Sequence, residues 1–148
     1  MALWNNSQAI LVFLFVVFGS DSAAWLLGNL FGANNRGKIA ASPNKSVAGF
    51  IGGFIGAITI SGGAALIIPD VFVTRTNLHI VLSTIILGVC TGIAATLGDL
   101  AESAVKRSCS VKDSGSIILG RGGILDSIDS IAAAAPVYFL LFNIFFIN

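Results

Sequence analysis

The sequence predicts an all-α protein, a polytopic membrane bundle of about four helices with a long polar loop before the last. Three observations carry this. The chain is 55% hydrophobic and only 10% charged over 148 residues, outside the composition of an ordinary soluble domain. Its apolar residues fall into four separate stretches, each long enough to cross the hydrocarbon as a helix. Its few charges are gathered rather than spread, nine of them lying between Asp99 and Asp129.

The first stretch, 10–31, begins with an apolar run of about the length of a signal-peptide core. No Lys or Arg precedes it and no convincing cleavage site follows, so it reads as a first span, with Asp21 inside it. The second, 47–68, carries Gly49 with Gly53 and Gly52 with Gly56, overlapping small-xxx-small pairs that let helices approach closely in lipid. The third, 78–97, opens near His79, the single histidine. Beyond it Asp99, Glu102 and Lys106 recur at helical spacing, so the helix should continue past the apolar run into the aqueous layer. In the fourth, 124–146, alanines 132–135 followed by Pro136 predict close packing and a kink.

Charge sets the orientation. Arg36, Lys38 and Lys45 fall in the first connection and Lys106, Arg107, Lys112 and Arg121 in or beside the third, whereas the second has only Arg75 with Asp70. The positive-inside rule puts the first and third connections in the cytoplasm and both termini opposite. Residues 1–148 are therefore read as one integral-membrane domain of a cell inner or plasma membrane, or its equivalent, with its polar site on the cytoplasmic face. Cys90 and Cys109 have neither disulfide-framework nor metal-ligand spacing. The net charge of +1 carries no signal for nucleic acid.

An ionised side chain in or at the edge of a span is costly, and so marks a functional site. Asp21, Asp126 and Asp129 qualify. Asp126 and Asp129 are three apart at the start of a helix, on one face, where they can share a cation or simply complement the helix dipole. Asp113 lies in the preceding loop. A hard ion such as Mg²⁺ takes oxygen ligands and shares them with phosphates, which makes Asp113, Asp126 and Asp129 the expected metal set, with Asp21 a further ligand. Around them Lys106, Arg107, Lys112 and Arg121, interleaved with Gly120, Gly122 and Gly123, suit a polyphosphate. Lys45, between Ser42 and Ser46 just ahead of the second span, is a second phosphate candidate, although Ser46 fits better as a helix cap. These residues describe a site at the cytosolic edge of a membrane for a metal-bound, phosphate-rich ligand, without naming it.

Residues 98–107, 111–115 and 120–130 together resemble the signature of the phosphatidate cytidylyltransferase (CDP-diacylglycerol synthase) family. Ser103, Lys106 and Arg107, then Lys112, Asp113 and Gly115, then Gly122, Gly123, Asp126 and Asp129 stand at its spacing. A second block, Asp21-Ser22-Ala23-Ala24-Trp25 and Ser42-Pro43-Asn44-Lys45-Ser46, is similar to two further motifs of that family. The match runs from about Gly19 to the C-terminus, so the chain resembles the C-terminal catalytic portion of the family, without its upstream spans. The departures are Leu119, Arg121, Ser127 and Trp25, where the family has Pro, His, Arg and Tyr. Arg121 keeps a positive charge but cannot exchange a proton, and Ser127 removes a cation.

The resemblance implies transfer of a cytidylyl group from CTP to phosphatidate, with Mg²⁺, releasing pyrophosphate and leaving CDP-diacylglycerol in the membrane. Lys106, Arg107, Lys112, Asp113, Asp126 and Asp129 are its expected catalytic residues. Lys45, Ser42, Ser46, Arg121, Gly122 and Gly123 would bind nucleotide, and membrane lipid, a homodimer or a missing N-terminal portion are its expected partners. The competing readings are a CTP-dependent lipid-alcohol kinase of the dolichol type, an inactive partner-binding remnant, and a small transporter.

Overall fold

A computed structural model describes residues 7–37, 42, 44–115 and 123–146. Four helices account for most of them: α1 (Ser7–Phe31), α2 (Val47–Ile67), α3 (Ile80–Ser108) and α4 (Leu125–Phe145). All four are long and apolar enough to cross a membrane, and the large side chains they leave exposed, such as Phe15, Ile51, Leu82 and Leu140, are apolar. An all-α bundle of an integral membrane protein is the result.

Local chemistry sets the ends. The Ser46 hydroxyl caps α2, accepting from the Gly49 N–H at 3.0 Å, and the His79 imidazole caps α3, accepting from the Val81 N–H at 3.3 Å. Both satisfy a donor that the first helical turn leaves unpaired. At the other end of α3 the chain turns through Ser110 at φ 58°, and the Val111 N–H closes on the Lys106 carbonyl at 3.0 Å. At about 1.5 Å per residue, the 29 residues of α3 span roughly 43 Å, more than the ~30 Å hydrocarbon layer. Its last turns, from Asp99 to Arg107, therefore reach into the interfacial layer.

Consecutive helices pack antiparallel. Gly28 of α1 lies against Gly49 of α2 and Gly19 against Ile60; Ala57 of α2 meets Gly92 of α3; Gly98 of α3 meets Asp129 and Ala133 of α4. The α1–α2 seam is tightly packed along several turns. A Cβ at Gly52 would stand 2.7 Å from the Leu27 Cβ and 2.8 Å from the Ala23 carbonyl, and one at Gly56 2.8 Å from the Ala23 Cβ. The glycine pairs thus serve packing, and Gly52→Val should lower stability by about 1–3 kcal/mol through overpacking. Thermal unfolding in detergent checks it; an unchanged midpoint would mean that the seam yields freely.

At the end of the bundle formed by the α1 N-terminus, an aromatic cluster closes the core. Phe13 packs on Tyr138 with centroids 5.1 Å apart, and Phe72 on Phe146 at 5.2 Å. The buried Tyr138 hydroxyl donates to the Ala9 carbonyl at 2.9 Å. Apolar closure there leaves the charged residues of α1, α3 and α4 at the opposite end.

Candidate functional site

At that opposite end, where α1 and α3 finish and α2 and α4 begin, two polar constellations lie side by side. The first is a cavity of about 360 Å³ between α1, α2 and α3, lined by Asp21, Trp25, Arg36, Lys45, Thr96 and Asp99 among others. It exists because the α1–α2 seam is built of small residues: Ala24, Gly28, Gly49 and Gly53 form its walls. Lys45 reaches across to form an ion pair with Asp99 and lies 5.9 Å from the centre of the Phe50 ring. Arg36 donates to the Asn29 side chain at 2.8 Å and to the Gly28 carbonyl at 3.4 Å, which ties it to the end of α1. Asp21 opens into the cavity, with Asp99, Lys45 and Asp129 close enough to act on its charge.

The second constellation joins α3, the following loop and α4. Lys106 is held by two carboxylates, Glu102 one turn back and Asp126 across on α4. Asp126 Oδ1 takes the Lys106 ammonium, while Oδ2 accepts from the Ser114 N–H (2.8 Å), the Ser114 hydroxyl (2.7 Å) and the Gly123 N–H (2.7 Å). One carboxylate thereby closes both ends of the loop onto α3. Glu102 is satisfied differently: among the described residues its carboxylate is held by the Lys106 ammonium and by no backbone donor.

The two constellations touch through Gly98. A Cβ there would stand 2.9 Å from the Asp129 carbonyl, so the glycine lets α4 lie directly on α3. Asp129 accepts from the adjacent Ser130, whose N–H lies at 2.6 Å, and its charge acts on Asp99, Lys106 and Asp21.

The three carboxylates of the expected metal set have different surroundings: Asp113 is exposed in the loop, Asp126 accepts from Lys106, Ser114 and Gly123, and Asp129 accepts from Ser130. Among the described residues no three His, Cys, Asp or Glu side chains gather as a ligand set. Asp113→Asn should accordingly leave folding stability within about 0.5 kcal/mol of the parent; a larger fall in the unfolding midpoint would reveal a partner for it.

The other expected residues divide. Lys45 lines the cavity with Ser46, but the Ser46 hydroxyl is spent on its cap. The Ser42 carbonyl accepts from the Lys45 N–H at 3.1 Å. The Gly123 N–H is likewise spent, on Asp126. Arg107 and Lys112 are exposed, and Arg107 reaches only the Val111 carbonyl, at 3.5 Å. Arg121 and Gly122 lie outside the described residues. Asp99, Glu102, Asn29, Arg36 and Thr96 join these constellations without having been expected there from the sequence. The helical recurrence of Asp99, Glu102 and Lys106 was the signal for two of them, whereas the partner of Asp99 comes from another connection altogether.

Four membrane-length helices with paired cations and carboxylates around a cavity at one end define a polytopic integral membrane protein. Residues 3–145 match the Cytidylyltransferase family, and the chain belongs to it. It is similar to the phosphatidate cytidylyltransferases of Haemophilus influenzae (39% identical over 137 residues, 87% of this chain and 44% of the relative), Staphylococcus haemolyticus (42% over 137 residues, 89% and 48%) and Bacillus subtilis (38% over 144 residues, 93% and 50%). The chain spans about half the length of these curated relatives.

Proposed function

We propose that the cavity between α1, α2 and α3 is the nucleotide end of a cytidylyl-transfer site whose substrates are CTP and phosphatidate. The observation that carries the reading is the cavity itself: two carboxylates on facing helices, Asp21 and Asp99, set beside the Lys45 ammonium where the bundle reaches the interfacial layer. The names printed for the relatives supply the substrate class.

A phosphate oxygen of phosphatidate attacks the α-phosphorus of CTP. The new P–O bond forms as the bond from the α-phosphorus to the bridging oxygen breaks, and pyrophosphate leaves with that electron pair. The attacking oxygen already carries charge near neutral pH, so the protein has little proton transfer to do. Positioning and charge neutralisation carry the catalysis. Lys45 binds the polyphosphate. The exposed Arg107 and Lys112 lie at the end of α3, where a lipid phosphate arrives from the bilayer surface. Beside them Asp126 holds Ser114 and Gly123 against Lys106.

Mg²⁺ fits this donor set. It commonly binds through one or two carboxylates and completes its shell with water and substrate phosphates; Asp21 and Asp99 would hold it, with Asp129 adjacent. When bound it would neutralise charge on the polyphosphate. The basic connections support a cytoplasmic placement of this end by the positive-inside rule.

The test is the identity of the leaving group. With labelled CTP and phosphatidate in mixed micelles, the expected products are pyrophosphate and a cytidine-bearing lipid. Release of CDP with phosphorylation of a lipid alcohol would replace this reading with the kinase one, and no turnover of CTP would remove both.

A further inference from the structure

We propose that Asp99 is a positioning residue that makes triphosphate capture conditional on a divalent cation, by holding the Lys45 ammonium until the cation arrives. The inference rests on reading the cavity as a nucleotide and metal site, and adds an order of events to it.

Only two cationic side chains line the cavity among the described residues, Lys45 and Arg36. Arg36 is tied back to Asn29 and Gly28 at the end of α1. Lys45 is therefore the cation placed to meet a polyphosphate, and in this state Asp99 holds it. A triphosphate entering alone would have to take the lysine from Asp99 and then lie against two uncompensated carboxylates, Asp21 and Asp99. In a partly enclosed cavity such like-charge contacts are screened far less than in water.

A divalent cation reverses that balance. It is drawn to the same two carboxylates and takes over Asp99, which releases Lys45. Phe50 gives the ammonium somewhere to rest, since the ring already lies 5.9 Å from it, within cation–π range. The lysine can therefore turn within the cavity without leaving it. The Lys45 and Asp99 side chains are 29% and 32% exposed, so water can solvate both charges while the lysine changes partner.

The test uses Trp25, which lines the cavity, as a fluorescent reporter in the purified protein carrying Trp4→Phe, with inorganic tripolyphosphate as the probe. The parent should bind tripolyphosphate with Mg²⁺ and not with chelator. Asp99→Asn should bind it in chelator, about tenfold tighter than the parent there, and gain little from Mg²⁺; Asp99→Glu should restore the dependence. Lys45→Met should lose tripolyphosphate binding yet bind Mn²⁺, followed by its EPR signal, about threefold to fivefold tighter, because Asp99 no longer has a competitor. Cation dependence in Asp99→Asn equal to that of the parent overturns the proposal. Weaker Mn²⁺ binding by Lys45→Met also overturns it, and decides the matter alone if Asp99→Asn does not fold. If tripolyphosphate follows the expected pattern but CTP binds no better than it, the conditional capture stands and the cytidylyl reading falls. If CTP binds well but Asp99→Asn keeps its cation dependence, the reverse holds.

Discussion

Replacing Lys106 with methionine is expected to destabilise the folded protein by about 3–5 kcal/mol, the range seen when one partner of a buried ionic cluster is removed. The lysine side chain is 15% exposed, and those of Glu102 and Asp126 only 8% and 7%. Without the ammonium, two nearly buried carboxylates face each other with no cation between them. Asp126 keeps its three donors from Ser114 and Gly123, but Glu102 has no hydrogen bond to fall back on. The damage should therefore be concentrated at Glu102, and adding Glu102→Gln should recover part of the loss. That non-additivity is the signature of residues sharing one network. Thermal unfolding of the two single variants and the double variant measures it. A Lys106→Met protein that unfolds with the parent, or a double variant worse than the sum of the singles, would show that the lysine does not neutralise this pair.

The same cluster shows where sequence reasoning reaches and where it stops. The four spans were legible because each is a long, nearly unbroken apolar stretch, and the extension of α3 was legible because Asp99, Glu102 and Lys106 recur at the period of a helix. The roles of the glycines in α2 followed from their spacing, and the structure puts them on the α1 seam. The different surroundings of Asp126 and Asp129 have a geometric reason. Residues three apart share a face only approximately, since at 3.6 residues per turn they differ by about 60° around the axis. That offset is enough to turn Asp126 toward Lys106 and the loop while Asp129 turns toward Asp99 and Asp21.

Competition for donors accounts for two further differences. Gly123 has the freedom expected of a phosphate cradle, but its N–H is used internally by Asp126. The Ser46 hydroxyl could face a phosphate, but the unpaired donors of the first helical turn of α2 claim it first. The Lys45–Asp99 pair was out of reach for another reason. Its members are 54 residues apart, Lys45 in the connection before α2 and Asp99 on α3, and the packing of α2 on α3 brings them together. Composition and spacing thus identify which residues carry charge chemistry, while the partner each one takes depends on helix packing.

Asp21 offers the sharpest separation of function from stability. Asp21→Asn is expected to reduce CTP-dependent turnover by about a hundredfold to a thousandfold, as the loss of one preorganised electrostatic group commonly does. The unfolding midpoint should stay where it is or rise. The amide has nearly the shape of the carboxylate, so the packing of α1 on α2 is undisturbed. The charge it removes sits within reach of two like charges, Asp99 and Asp129, with Lys45 opposing them. A residue kept for folding would not be placed against such repulsion, and an acidic group held there at a cost to stability is the pattern of a functional site. Turnover and thermal unfolding measured on one preparation decide it. Near-parental turnover would remove Asp21 from the site, and a sharply lowered midpoint would make its role one of packing.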